Sequence, residues 1–147
     1  MLKDQLKKML SPNTVNKLIE ISQEKGKMNI VIPSGSGRSL VYSLIAETAP
    51  ILIVCHNEDK AYRVAHDIES FTENKVLVFP QREILPFESI PESPRVVGER
   101  IEVLISALKG KGKFFVTTAQ ALETALIPKE VLKSSIRSVS VGQRLSY

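Results

Sequence analysis

The residues best placed to do chemistry are Ser34-Gly35-Ser36-Gly37-Arg38-Ser39. They follow an apolar, β-branched run, Met28-Asn29-Ile30-Val31-Ile32-Pro33, and an apolar-periodic segment starts directly behind them at Leu40. Strand, tight glycine-rich turn and helix start form the local architecture of a phosphate-binding loop, whose backbone N–H groups hold an anion at the helix N-terminus. The full pattern is G-x-x-x-x-G-K-[ST]. Aligned on Gly37, its first glycine position holds Ile32 and its lysine position holds Arg38, whereas Ser39 fits. Ser34, Gly35, Ser36 and Gly37 are small enough to let backbone donors converge on an anion. Arg38 does not replace the lysine, because a planar fork is bulkier and carries its charge differently from a compact ammonium. The loop is a nucleotide site in outline with degraded chemistry. A glycine-rich βα turn without a ligand is the plainer reading.

A working phosphoryl-transfer site also needs an acidic residue to hold magnesium. The candidate strand ends offer Cys55-His56, Phe79-Pro80 and Thr117-Thr118, none of them acidic. Cys55 is the single cysteine, which excludes an intrachain disulfide and gives no cysteine cluster for a metal. A Cys55–His56 pair is conceivable, but neighbours on a strand point to opposite faces. Cys55 reads instead as a buried thiol at a strand end. Glu99 and Glu102 stand three apart on a helix beside Arg95 and Arg100, a pattern better explained by solvated ion pairs than by acid–base chemistry.

These residues need a scaffold, and the chain alternates β and α segments. Ser11 caps and Pro12 opens a helix with Val15, Leu18 and Ile19 on one side, preceded by a short basic amphipathic helix over 2–9. Strands are expected over 28–33, 51–55, 76–79 and 114–117, the middle ones as unbroken apolar runs suited to a sheet buried on both faces. Helices are expected over 37–48, from Asn57 to about Phe71, from Pro94 to Lys109 with Val97, Ile101, Leu104, Ile105 and Leu108 inward, and over Ala119–Ala125 behind a Thr118 cap. The expectation is an α/β fold with a four-stranded parallel sheet flanked by helices.

Two stretches break the rhythm. Residues 80–94 hold four prolines, which forbid regular structure, together with Ile84, Leu85, Phe87 and Ile90. A loop that apolar is expected to pack on its domain rather than trail as a linker. Beyond Pro128 a helical turn over 129–133 precedes an alternating run, Ile136-Arg137-Ser138-Val139-Ser140-Val141, which reads as a half-exposed strand. The change in strand character places a domain boundary between 127 and 128, with 1–127 a first unit and 128–147 the start of a second.

Composition narrows the function classes. The 147 residues are 43% hydrophobic and 24% charged, as in an ordinary globular protein. No apolar run nears the roughly 18 residues that span a bilayer, and the N-terminus lacks a leader pattern, so a cytoplasmic location is expected. The net charge of +4 suits nucleic acid or an acidic partner, but aromatics are only 5% and tryptophan is absent, so no base-stacking platform is evident.

The proline-rich block resembles a known family. Phe79-Pro80, Glu83-Ile84-Leu85-Pro86-Phe87-Glu88, Ser93-Pro94 and Glu99-Arg100 leading into Leu104 resemble the N-terminal region of bacterial transcription-repair coupling factors (Mfd). Thr117-Thr118-Ala119-Gln120-Ala121-Leu122 and Gly142-Gln143-Arg144-Leu145-Ser146 look like later blocks of the same region, so the likeness runs from about 28 to 147. The region is also similar to domain 1a of the excision-repair protein UvrB, which carries an intact phosphate loop and an aromatic-rich hairpin for probing DNA. Here Ile32 and Arg38 break the loop, and residues 80–93, with Phe87 as their one aromatic, stand in place of the hairpin.

The resemblance implies a fragment of a multidomain ATP-dependent DNA translocase that displaces stalled RNA polymerase and recruits UvrA. It implies a UvrB-like half-domain with a degenerate P-loop, followed by the start of a UvrA-contacting domain. ATP and magnesium would belong to motor domains elsewhere in such a parent. The piece itself would be non-catalytic, with no cofactor or metal, at most weak DNA binding, and Glu83, Leu85, Pro86, Phe87 and Glu88 as an interaction loop. A stand-alone nucleotide-binding enzyme and a small nucleic-acid-binding domain are the alternatives.

Overall fold

A computed structural model describes residues 11–23, 29–32, 35–82 and 93–137, together with 5, 8, 26 and 140–142. Its elements are α1 (Pro12–Gln23), α2 (Gly37–Ile45), β1 (Ile51–Cys55), α3 (Glu58–Phe71), β2 (Val76–Phe79), α4 (Pro94–Leu108), β3 (Phe114–Thr118), α5 (Ala119–Glu123) and α6 (Lys129–Ser135). The local signals act where the sequence puts them. The Ser11 hydroxyl accepts from Thr14 N at 3.2 Å, Asn57 Oδ1 from Lys60 N at 2.9 Å, and Thr118 Oγ1 from Ala121 N at 3.1 Å. Each satisfies one amide that a helix start leaves open. Ser93 sits at the N-cap of α4 without a side-chain bond, and Pro94 fills the first turn.

The three strands form a parallel sheet in the order β1-β3-β2. Ile51 and Val76 both stand level with Phe114, so β3 is central and receives both neighbours. One face is fully packed: Ile53, Cys55, Val76, Phe114 and Val116 meet Ala61, Val64, Ala65 and Ile68 of α3, with Ala46 closing the cluster after α2. The other face is packed at one end only. Leu77, Phe79 and Phe115 meet Val103 and Leu104 of α4 and Ala121 of α5. Leu52 and Val54 of β1 lie on that same face but remain 60% and 51% exposed.

Three expectations are corrected. The sheet has three described strands rather than four: of the strand expected over 28–33, residues 29–32 lie outside the sheet, and Val31 is 97% exposed. A β-branched run becomes a strand only when a ladder partner satisfies its backbone, and no partner stands beside it among the described residues. The alternating run over 136–141 likewise forms no strand at its described positions, while α6 ahead of it buries Leu132.

The third correction concerns α4. Its buried residues are Val96, Arg100 and Val103, not the stripe of Val97, Ile101, Leu104, Ile105 and Leu108. A rotation of about 100° per residue separates the two faces. The apolar stripe is the stronger sequence signal, but the neighbouring face is the more deeply buried: Val97, Leu104, Ile105 and Leu108 are half-buried, and Ile101 is left 43% exposed. The helix ends in a Schellman turn, with Lys111 N donating to Ser106 O at 2.8 Å and Gly110 N to Ala107 O at 3.1 Å. Gly110 takes the left-handed φ of 64° that this turn requires.

Candidate functional site

The glycine-rich turn delivers its residues to the start of α2. Gly35 adopts φ 103°, a conformation favouring glycine, and Ser36 stands before the helix without a side-chain cap. Gly35, Ser36, Gly37 and Arg38 are exposed, whereas Ser39 is buried; Ser34 lies outside the described residues. The Ser39 hydroxyl donates to Asp67 Oδ2 on α3 at 3.4 Å, a long contact, and its carbonyl accepts from Ser43 Oγ at 2.8 Å. The hydroxyl that a phosphate loop would offer to magnesium is therefore directed into the α2–α3 interface.

Glu83, Leu85, Pro86, Phe87 and Glu88, named as an interaction loop, all lie outside the described residues. The two ends of that segment are described, and sequence reasoning missed what holds one of them. Arg100 is buried at 8% exposure, with its guanidinium 4.0 Å over the Phe79 ring. It donates through one terminal nitrogen to Pro80 O and through the other to Thr124 Oγ1 at 2.9 Å. Thr117 Oγ1 adds a bond to Phe79 O at 3.0 Å. One arginine thus ties the exit of β2 to α4 and to the end of α5. The available signal was positional: Arg100 follows Val96 by four and precedes Val103 by three, on one helical face.

Glu99 and Glu102 sit in a groove of about 480 Å³ beside the open edge of β2. Glu99 pairs with Arg95 at 2.7 Å and Glu102 with Lys75 at 2.8 Å. Both carboxylates are ion-paired, Glu99 with the neighbouring Arg95 as the pattern indicated, but Glu102 with a lysine 27 positions away. Arg100 is buried rather than part of a solvated pair. Burial, followed by the charges of Glu99 and Glu58, raises the Tyr62 hydroxyl above its ordinary value. Side chains of α3 take up amides at the start of β2 and just past its end: Glu69 accepts from Val76 N at 3.0 Å and Glu58 from Gln81 N at 2.9 Å.

Cys55 is buried and free, and burial raises its thiol above the ordinary cysteine value. The neighbouring His56 is exposed. No group of three or more acidic, histidine or cysteine side chains suited to a metal occurs among the described residues. None of the described helices is long and apolar enough to cross a membrane.

An apolar hollow of about 260 Å³ lies on the half-covered sheet face, lined by Leu52, Phe115, Leu104, Leu122 and Leu126 among others. Leu122, Leu126 and Ile127 continue it as exposed side chains.

No family model matches the chain. A curated relative, the transcription-repair-coupling factor of Bacillus subtilis, is 33% identical over 112 residues, covering 74% of this chain and 10% of its own length. The chain belongs to the transcription-repair-coupling factor family. Factors of the same name from Staphylococcus epidermidis and Staphylococcus aureus are 23% and 25% identical over 133 and 134 residues. Those alignments take in 87% of this chain and 11% of each relative. The chain spans about a tenth of the length of the coupling factors it matches. The resemblance drawn from the proline-rich block and its neighbours thus leads to the same family.

Proposed function

We propose that this chain is an N-terminal, UvrB-like scaffold piece of a transcription-repair coupling factor, non-catalytic in itself, that docks further polypeptide of its parent. The observation that carries this reading is the half-covered sheet face. Leu52 and Val54 leave more than half their surface in water beside a hollow lined almost wholly by apolar side chains. A contiguous apolar patch of this kind on a folded domain is a mark of an interaction surface. In this reading the parent is an ATP-dependent DNA translocase that displaces stalled RNA polymerase and recruits UvrA. ATP and magnesium serve its motor domains, and DNA is at most a weak ligand of this piece.

The alternative, a stand-alone nucleotide-binding enzyme, is disfavoured by Ser39, whose hydroxyl faces Asp67, and by Ile32 and Arg38 in place of the loop glycine and lysine. Hydrogen exchange tests the scaffold reading. Amides of Leu52 and Val54 should exchange measurably in this chain alone and become protected when the same stretch sits in a full-length coupling factor. Equal exchange in both settings would sink it.

A further inference from the structure

We propose that the turn Lys109-Gly110-Lys111-Gly112-Lys113, between α4 and β3, is a contact surface for the phosphate backbone of nucleic acid. All five residues are exposed, and three lysines alternate with two glycines. Among the described residues none of the three ammonium groups has an ion-pair partner, whereas Lys75, just ahead of β2, is held by Glu102 at 2.8 Å. Three unpaired like charges within five residues repel one another, so they do not serve stability as a set. Lys109 alone sits at the C-cap, where a cation complements the helix dipole, and that effect fades within a turn.

The backbone beneath the charges is fixed. Lys111 N is bonded to Ser106 O at 2.8 Å, and Lys113 O accepts from Ile51 N at 2.9 Å. Between them Gly112, at φ 105°, lies so close to the sheet that a Cβ would stand 2.9 Å from Leu77 Cδ1 and 3.1 Å from the Phe115 ring. A rigid base with free cationic tips keeps the ordering cost of binding low. The Schellman turn at Gly110 and the left-handed Gly112 fold the segment back on itself, so the three ammonium groups are gathered on one short turn, a cluster of charge suited to neighbouring anions. No aromatic side chain lies within the turn to stack on a base, so the contact reads charge and not sequence. This surface is independent of the apolar face and goes beyond the scaffold reading.

The test uses the 147-residue chain and a fluorescent duplex of arbitrary sequence, about two helical turns long, followed by anisotropy over a range of salt. Replacing Lys109, Lys111 and Lys113 by Gln should lower the slope of log K against log salt by about 2–3. Replacing Lys17, Lys129 and Lys133 by Gln, an equal change in charge, should lower it by less than about 1. Equal losses from the two triples would make the attraction diffuse and overturn the proposal, as would the lack of any salt-dependent binding by the unaltered chain. Binding to polyglutamate or to phosphatidylserine vesicles as tight as to the duplex would also overturn it, in favour of a protein or a membrane partner.

Discussion

The Arg100 guanidinium lies over the Phe79 ring at 4.0 Å, while the same group donates to the carbonyl of the next residue, Pro80. The ring belongs to the sheet and the arginine to the helix that returns to it, so this contact closes the β2–α4 crossover. A stacked, hydrogen-bonded and buried guanidinium is not replaceable by an ammonium. Arg100→Ala should destabilise the chain by about 3 kcal/mol, the combined scale of charged hydrogen bonds and a desolvated cation–π contact. Arg100→Lys should recover less than half. Urea unfolding measures both, and an unchanged midpoint for Arg100→Ala would refute the role.

Arg100 also marks where sequence reasoning stops. The sheet strands over 51–55, 76–79 and 114–117, and the caps at Ser11, Asn57 and Thr118, were legible because each rests on local chemistry. The face of α4 was not, because two adjacent stripes compete and only the sheet beneath decides between them. Asn29–Ile32 has the composition of a strand, but composition cannot supply a ladder partner. That Ile32 and Arg38 depart from the phosphate-loop pattern is read from the residues alone. That Ser39 turns toward Asp67 depends on how α2 packs on α3, which no spacing within the loop encodes.

For that loop the expected outcome is inactivity. Calorimetry with Mg-ATP should show no saturable binding at micromolar concentrations. Anion attraction at the exposed N-terminus of α2 contributes on the order of 1 kcal/mol, well short of the roughly 4 kcal/mol that millimolar affinity represents. Ser39→Ala should change stability by less than about 1 kcal/mol, since its contact to Asp67 is 3.4 Å long. Saturable micromolar binding abolished by Arg38→Ala would overturn this view.

Cys55 sets a pH dependence. Its thiol is raised above the ordinary value chiefly by burial, with a smaller opposing effect from Lys60. The folded state therefore holds the proton more tightly than the unfolded chain. Stability from this residue is complete below the unfolded pKa and is lost as pH rises through the folded one. The chain should melt at falling temperature above about pH 9, and Cys55→Val should flatten part of that slope. Iodoacetamide should label the native thiol slowly at about pH 7.5, because the thiolate is the reactive form. Rapid native labelling would show the side chain to be open to solvent.

Two glycines only two residues apart should respond differently to alanine. Gly110 has φ 64° but open space where a methyl group would stand, so Gly110→Ala carries only the left-handed backbone cost, about 1 kcal/mol. Gly112 has φ 105° and a Cβ that would stand 2.9 Å from Leu77 Cδ1 and 3.1 Å from the Phe115 ring. The atoms met are the tips of buried Leu77 and half-buried Phe115, both packed in the α4 cluster, so one or the other must shift to admit the methyl group. Gly112→Ala should therefore add overpacking to backbone strain and cost about 3 kcal/mol. Trimming the neighbour with Leu77→Ala separates the two effects. In that background Gly112→Ala should lose its steric part and fall to near the cost at Gly110, whereas an undiminished effect would place the whole penalty in the backbone. Denaturant midpoints of Gly110→Ala, Gly112→Ala, Leu77→Ala and the Leu77→Ala, Gly112→Ala pair decide between these outcomes.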